Sequence, residues 1–297
     1  MHRLALLALL CGTATAGPDK EIVAQIVGHS YDGDVLAKLG ELSDLGPRQK
    51  DPILELDLQN KITGPIEVAN VIGELKGTGA GWILLGAHLD SWDFATGTQD
   101  NGAGVVQVVE AARLLAKAGP LARTVRFALW AAEEEGLNGS HAYTLAHAAE
   151  LASCVAVLNT DNGAGHVKGW KVEGRKDVRA ALEPIAKDLL APLGGGTVDM
   201  TLTADTDHFS FLAEGVPALD MLVDMTGYDT IHHRIADTID KVDSHALASG
   251  TAVLAVTGYA LASTAEPFAP HLDRAAVAEA FKEGGYDELL RSAGWWK

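Results

Sequence analysis

Eight side chains able to hold a metal ion or move a proton follow apolar stretches at short intervals: His88, Asp90, Asp100, Glu133, Glu134, Asp161, His232 and His233. Imidazole nitrogens and carboxylate oxygens are ligands suited to zinc, and carboxylates also act as general acids and bases. Gathered in a poorly hydrated cleft, Asp100, Glu133, Glu134 and Asp161 would repel one another by on the order of several kcal/mol. A pair of divalent cations removes that repulsion, whereas water removes it only if the groups are scattered. Singly, each has a plainer reading. A strand-end Asp or His is commonly a helix cap, and Glu133-Glu134-Glu135 alone is a solvated charge run. Only convergence of the set distinguishes a site from such isolated groups.

The elements expected to position these residues alternate along the chain. Apolar runs predict strands over 82–86, 124–131, 154–158 and 216–223. Amphipathic spacing predicts helices over 104–117, 139–151, 178–190 and 245–261. Strands apolar on both faces, alternating with helices, imply an α/β fold: a mostly parallel mixed sheet covered by helices on both faces. In an open sheet of this kind, ligands gather beyond the carboxyl ends of the strands. His88 and Asp90, Glu133 and Glu134, and Asp161 each follow one of those strands. His232-His233 lies in the loop beyond the last, and Asp100 sits in the glycine-rich stretch Gly97-Thr-Gln-Asp-Asn-Gly-Ala-Gly104 before the first helix.

Composition narrows the classes further. The chain has 297 residues, 47% of them apolar, enough for one large domain with a substantial core. A formal net charge of −17 argues against nucleic acid or an anionic membrane surface as a partner. Cys11 and Cys154 are the two cysteines, so neither a disulfide framework nor a cysteine-rich zinc finger is expected. No P-loop lysine, Gly-x-Ser-x-Gly elbow or His-Glu-x-x-His helix occurs. Met1-His2-Arg3, the apolar run 4–10 and the small residues Ala14-Thr15-Ala16 read as a signal peptide cleaved after Ala16. Leu10 stands before Cys11 where a lipoprotein signal has a small residue. The product is therefore expected to be secreted or periplasmic, with no membrane anchor after cleavage.

Five ordered motifs resemble the M28 metallopeptidases. They are His88-Leu-Asp-Ser-Trp-Asp93, the 97–104 stretch, Trp130-Ala-Ala-Glu-Glu-Glu-Gly-Leu-Asn-Gly-Ser140, Thr206-Asp-His-Phe-Ser-Phe-Leu212 and His232-His-Arg-Ile-Ala-Asp-Thr238. The likeness covers roughly residues 70–242, and the first motif points to the carboxypeptidase Q branch. It implies a zinc-exopeptidase α/β/α sandwich with two zinc ions per chain. His88, Asp100 and Asp161 would hold one ion, and Glu134, His233 and the shared Asp100 the other. His233 is picked over His232 because Asp237 and Thr238 stand at the family's distance after it. Glu133 would be the general base, and Asp90 would orient the His88 ring. Asp207, His208 and His232 are assigned to the pocket or its support. Nitrogen and oxygen ligands suit zinc, although cobalt or manganese could substitute.

The implied activity is a dinuclear zinc exopeptidase acting on dipeptides or short peptides with a free terminus. Two alternatives stand beside it: a catalytically impaired zinc-binding module, and a one-zinc acyltransferase resembling glutaminyl cyclase. Retention of both His88 and Asp161 argues against the latter. The sequence departs from the family at Asn101, where many members have a second aspartate, although an amide there can still hydrogen-bond. It departs more at 49–52, where four residues replace a helix and an inserted protease-associated-like domain. The expected layout is signal peptide 1–16, catalytic domain 17–265 and helical tail 266–297. The tail, or a second subunit in a homodimer, is expected to cover the sheet face left bare.

Overall fold

The computed structural model describes residues 64–93, 95–292 and 294–295. The leader, the shortened 49–52 region and Trp296 lie outside them. Elements in chain order are β1 (Val71–Leu75), β2 (Trp82–His88), α1 (Ala103–Leu115), β3 (Thr124–Trp130), α2 (Asn138–Ala146), α3 (Ala148–Leu151), β4 (Cys154–Asn159) and β5 (Val167–Lys171). They continue through α4 (Lys176–Ile185), β6 (Thr197–Asp199), α5 (His208–Leu212), β7 (Ala218–Val223), α6 (Ser244–Ala262), α7 (Arg274–Gly284) and α8 (Asp287–Ser292).

The strands form one mixed sheet in the order β1-β3-β2-β4-β7-β5-β6. The pairs β3–β2, β2–β4, β4–β7 and β5–β6 are parallel. β1 is antiparallel to β3, and β5 to β7. The four central strands are those legible as apolar runs. Every residue of β2 is buried, as a central strand covered on both faces requires.

Alternation along β2 divides the core into two layers. Ile83, Leu85 and Ala87 pack with Val108 and Ala111 of α1, Leu182 of α4, and Val253 and Leu254 of α6. Trp82 and Leu84 join the opposite layer with Tyr143 of α2, Phe209 and Phe211 of α5, Val277 and Phe281 of α7, and Leu290 of α8. α6 is long and apolar enough to cross a membrane by length and composition, and its apolar side is consumed by the first layer.

The tail is thus part of the second layer. Val277, Phe281 and Leu290 are each at most 2% exposed. Its lead-in is tied down as well: His271 Nε2 lies 2.6 Å from the Cys154 carbonyl, and the Leu272 N–H donates to the Gly215 carbonyl at 2.9 Å. Arg175 donates to the Pro270 carbonyl at 2.5 Å. Cys154 is fully buried, and burial pushes its thiol pKa up.

Two expected helices differ in the structure. The 139–151 stretch divides at His147 into α2 and α3, and α4 gives way after Ile185 to a wider turn, one residue beyond Pro184. Proline cannot donate to the preceding turn, so the regular ladder loosens there.

Candidate active site

The carboxyl ends of β2, β3 and β4 and the β7–α6 loop deliver the site residues to one edge of the sheet, bordering a cavity of about 410 Å³. His88 ends β2. Glu133 and Glu134 occupy a tight turn after β3, in which the N–H groups of Gly136 and Leu137 both return to the Glu133 carbonyl. Ala132 before them has a left-handed φ of 55°, as does His233 in the β7–α6 loop. A non-glycine residue there costs about 1–2 kcal/mol, so surrounding contacts must hold both turns.

The glycine-rich stretch brings Asp100 inward. Gly104 lets the start of α1 approach the neighbouring loop: a Cβ there would lie 2.4 Å from the Thr160 carbonyl oxygen. Asn101 fills the same corner, donating to that carbonyl at 2.9 Å and accepting the Gly104 N–H at 3.0 Å. Both polar atoms of the amide at this departure from the family pattern are therefore engaged.

Asp100 stands at the centre of the donor atoms. Its Oδ1 lies 3.1 Å from His88 Nε2, which is also 2.9 Å from Asp161 Oδ1. Its Oδ2 lies 3.3 Å from His233 Nε2, which is 2.9 Å from Glu134 Oε2. The two oxygens of one carboxylate thus face two different His–carboxylate pairs. Three groups of donor atoms lie within 4.8 Å of one another: His88 with Glu133 and Asp161, His88 with Asp100 and Glu134, and Asp100 with His232 and His233. His232 reaches Asp100 only at 3.4 Å, and its ring packs against Tyr228.

Asp90 meets His88 through its main chain. The His88 Nδ1 is held by the Asp90 main-chain carbonyl at 2.9 Å, whereas the Asp90 carboxylate is 3.7 Å away. That carboxylate instead accepts the N–H groups of Glu133 and Glu134, each at 3.2 Å. One residue therefore joins the β2 end to the glutamate turn.

Crowding perturbs Glu133, Asp161 and Asp100. Burial, with Asp161, Asp207 and Glu134 nearby, pushes the Glu133 carboxyl well above the usual range despite His88. Burial raises Asp161 as well, with Asp100 and Asp207 adding to it. Burial also opposes the charged form of Asp100, but His233 and His88 outweigh it and hold that carboxyl below its usual range. His233 is pushed up to about 9, because Asp100 and Glu134 outweigh the burial that disfavours its charge. Protons and divalent cations thus compete for the same groups.

The donor set fits zinc. Ligands 2.0–2.1 Å from a tetrahedral ion stand about 3.3 Å apart, close to the 2.9–3.3 Å at which His88 and His233 stand from their carboxylates. Asp100 Oδ2 and Glu134 Oε1 are buried without a hydrogen-bond partner. Buried carboxylate oxygens are costly unless something satisfies them, and a cation held by Asp100, Glu134 and His233 would do so.

Several contributors were not assigned from sequence. Trp92 donates from its indole N–H to Glu134 Oε2 at 2.6 Å, and its ring packs at a tilt against His233. It lies inside a quoted motif, so its place was visible while its contact was not. Asp205, Met225, Tyr228 and Asp229 line the cavity, and nothing in their local spacing marks them. Asp207 is buried beneath the site, and its carboxyl is pushed up to about 7 by burial. His208 faces the other way, with Nε2 3.4 Å from Glu173.

A mixed α/β sheet with a carboxylate–imidazole cleft at its strand ends defines a metallohydrolase-like architecture. The chain belongs to peptidase family M28, whose model matches residues 70–257. Carboxypeptidase Q of Bos taurus is 30% identical over 230 residues, covering 76% of this chain and 48% of the relative. A solved peptidase M28 precursor from Shewanella amazonensis SB2B is similar at 34% identity and TM-score 0.64, over 69% of this chain and 47% of that one. An aminopeptidase from Aneurinibacillus sp. strain AM-1 is similar at 25% identity and TM-score 0.58, over 69% and 50%. The chain spans about half the length of the curated relatives it matches.

Proposed function

We propose that the chain is an exported dinuclear zinc exopeptidase cleaving dipeptides or short peptides with a free terminus. The observation that carries this reading is the division of Asp100, with Oδ1 beside His88 and Asp161 and Oδ2 beside His233 and Glu134. His88, Asp100 and Asp161 would hold one ion, and Asp100, Glu134 and His233 the other. Zinc bound there supplies Lewis acidity, polarising a carbonyl oxygen and making water a better nucleophile.

The remaining chemistry belongs to the chain. Glu133 lines the cavity without belonging to either ligand set, where a carboxylate can accept a proton and return it to a leaving amine. Asp90 fixes the main chain beneath Glu133, so the base keeps its position while its charge changes. Retention of His88 and Asp161 as a second donor pair beside Glu134 and His233 disfavours the one-zinc, cyclase-like alternative.

Free and end-blocked dipeptides, incubated with and without chelator, test the proposal. Hydrolysis of free dipeptides that stops on chelation and returns with zinc supports it. Cleavage unaffected by chelation, or equal cleavage of peptides blocked at both ends, overturns it.

A further inference from the structure

His233 sits in a row of four rings. Tyr228 packs on His232 with centroids 4.9 Å apart, His232 on His233 at 3.7 Å, and His233 on Trp92 at 4.6 Å. The His233 side chain is 37% exposed, and its ring lies against those of His232 and Trp92. These ring contacts hold His233 with Nε2 3.3 Å from Asp100 Oδ2 and 2.9 Å from Glu134 Oε2.

Trp92 acts on Glu134 too. Its N–H takes up Oε2 at 2.6 Å, which turns Oε1, buried and without a partner, into the free oxygen of that carboxylate. One side chain thereby orients both ligands that belong only to the second ion. The first-ion ligand His88 is oriented separately, by the Asp90 carbonyl.

We infer that Trp92 is a positioning residue that sets the affinity of the Glu134/His233 metal position relative to the His88/Asp161 position. The inference rests on the two-ion reading above. Outer groups that orient metal ligands typically change affinity about 10–100-fold when removed. Two replacements separate the parts of the interaction. W92F keeps a ring for His233 and removes the N–H. Site-specific benzothienylalanine keeps the bicyclic shape and removes the N–H alone.

Zinc affinity of each position is read by chelator competition with elemental analysis, alongside thermal melting of the metal-free chain. The expected result is two ions on the wild-type chain, with one of them weakened about 10–100-fold in both variants and the other unchanged. The metal-free melting temperature of the benzothienylalanine variant should match wild type. Two wild-type ions that both retain their affinity in both variants overturn the role of Trp92 and leave the two-ion reading standing. Equal weakening of both ions also overturns it, since a merely structural role would act on both positions. Fewer than two ions on the wild-type chain overturns the inference together with the two-ion reading.

Discussion

Asp237 holds the main chain of Asp100: its two carboxylate oxygens accept the N–H groups of Gln99 at 2.7 Å and Asp100 at 3.0 Å. The Asp237 carbonyl accepts again, from the Thr96 hydroxyl at 2.9 Å. Asp237 is 1% exposed and lies four residues beyond His233. The loop carrying one proposed ligand is therefore pinned to the loop carrying the shared one, and the distance between them is set by an aspartate that is itself no ligand.

Replacing that acceptor should loosen both. D237N keeps the shape but weakens a charge-assisted bond to a buried N–H, a change worth about 2 kcal/mol. In a domain of this size that is a fall of roughly 4–8 °C in Tm. A D237N chain that melts with wild type and retains zinc equally well would show that the two loops are held by other contacts.

The base assignment is tested at Glu133. E133Q should retain its zinc and lose hydrolysis by about two to four orders of magnitude, the usual worth of a positioned proton carrier. Elemental analysis and a dipeptide assay on the same preparation check both halves. Near-normal turnover would point to another group as the base.

A pH effect is expected from the buried pair His208–Glu173. Burial disfavours the charged imidazole, but Glu173 outweighs it and His208 is pushed up to about 9. A histidine raised in the folded state contributes stability that is full below its unfolded pKa of about 6.5. That contribution is lost as pH rises through about 9. The stability difference between wild type and H208Q should therefore shrink between these limits. A difference that stays constant or grows across that window contradicts the pairing.

The tail should matter for stability although it carries no site residue. F281A removes a ring that is 1% exposed and packs at a tilt against Phe209, with centroids 5.0 Å apart. The expected cost is about 3–5 kcal/mol by chemical denaturation. Ending the chain after Ala265 should cost more, with loss of solubility. Unchanged melting and oligomeric state in that truncation would mean the second core layer stands without α7 and α8.

The parts of this architecture legible in the sequence are those with one dominant signal. β2, β3, β4 and β7 are apolar on both faces because helices cover both sides, and such runs stand out. β1 is nearly all exposed, β5 carries Gly169 in its middle, and β6 is three residues long. None of these has a readable period, because their pairing depends on partners distant in the chain. Within the site, residue types and their place after strands were legible, and motif order supplied the assignment of His233 over His232. Which atom of Asp90 meets His88, and that Trp92 reaches Glu134, depend on how the β2–α1 loop folds back, and no local pattern records that.

The most direct test of the shared-ligand account is the zinc content of D100A beside wild type after loading and removal of loosely bound metal. Asp100 faces both donor pairs, so the account predicts about two ions per wild-type chain and almost none on D100A, with D161A and H233A each keeping one. A wild-type chain that saturates at one ion, or a D100A chain that still holds both tightly, would contradict it.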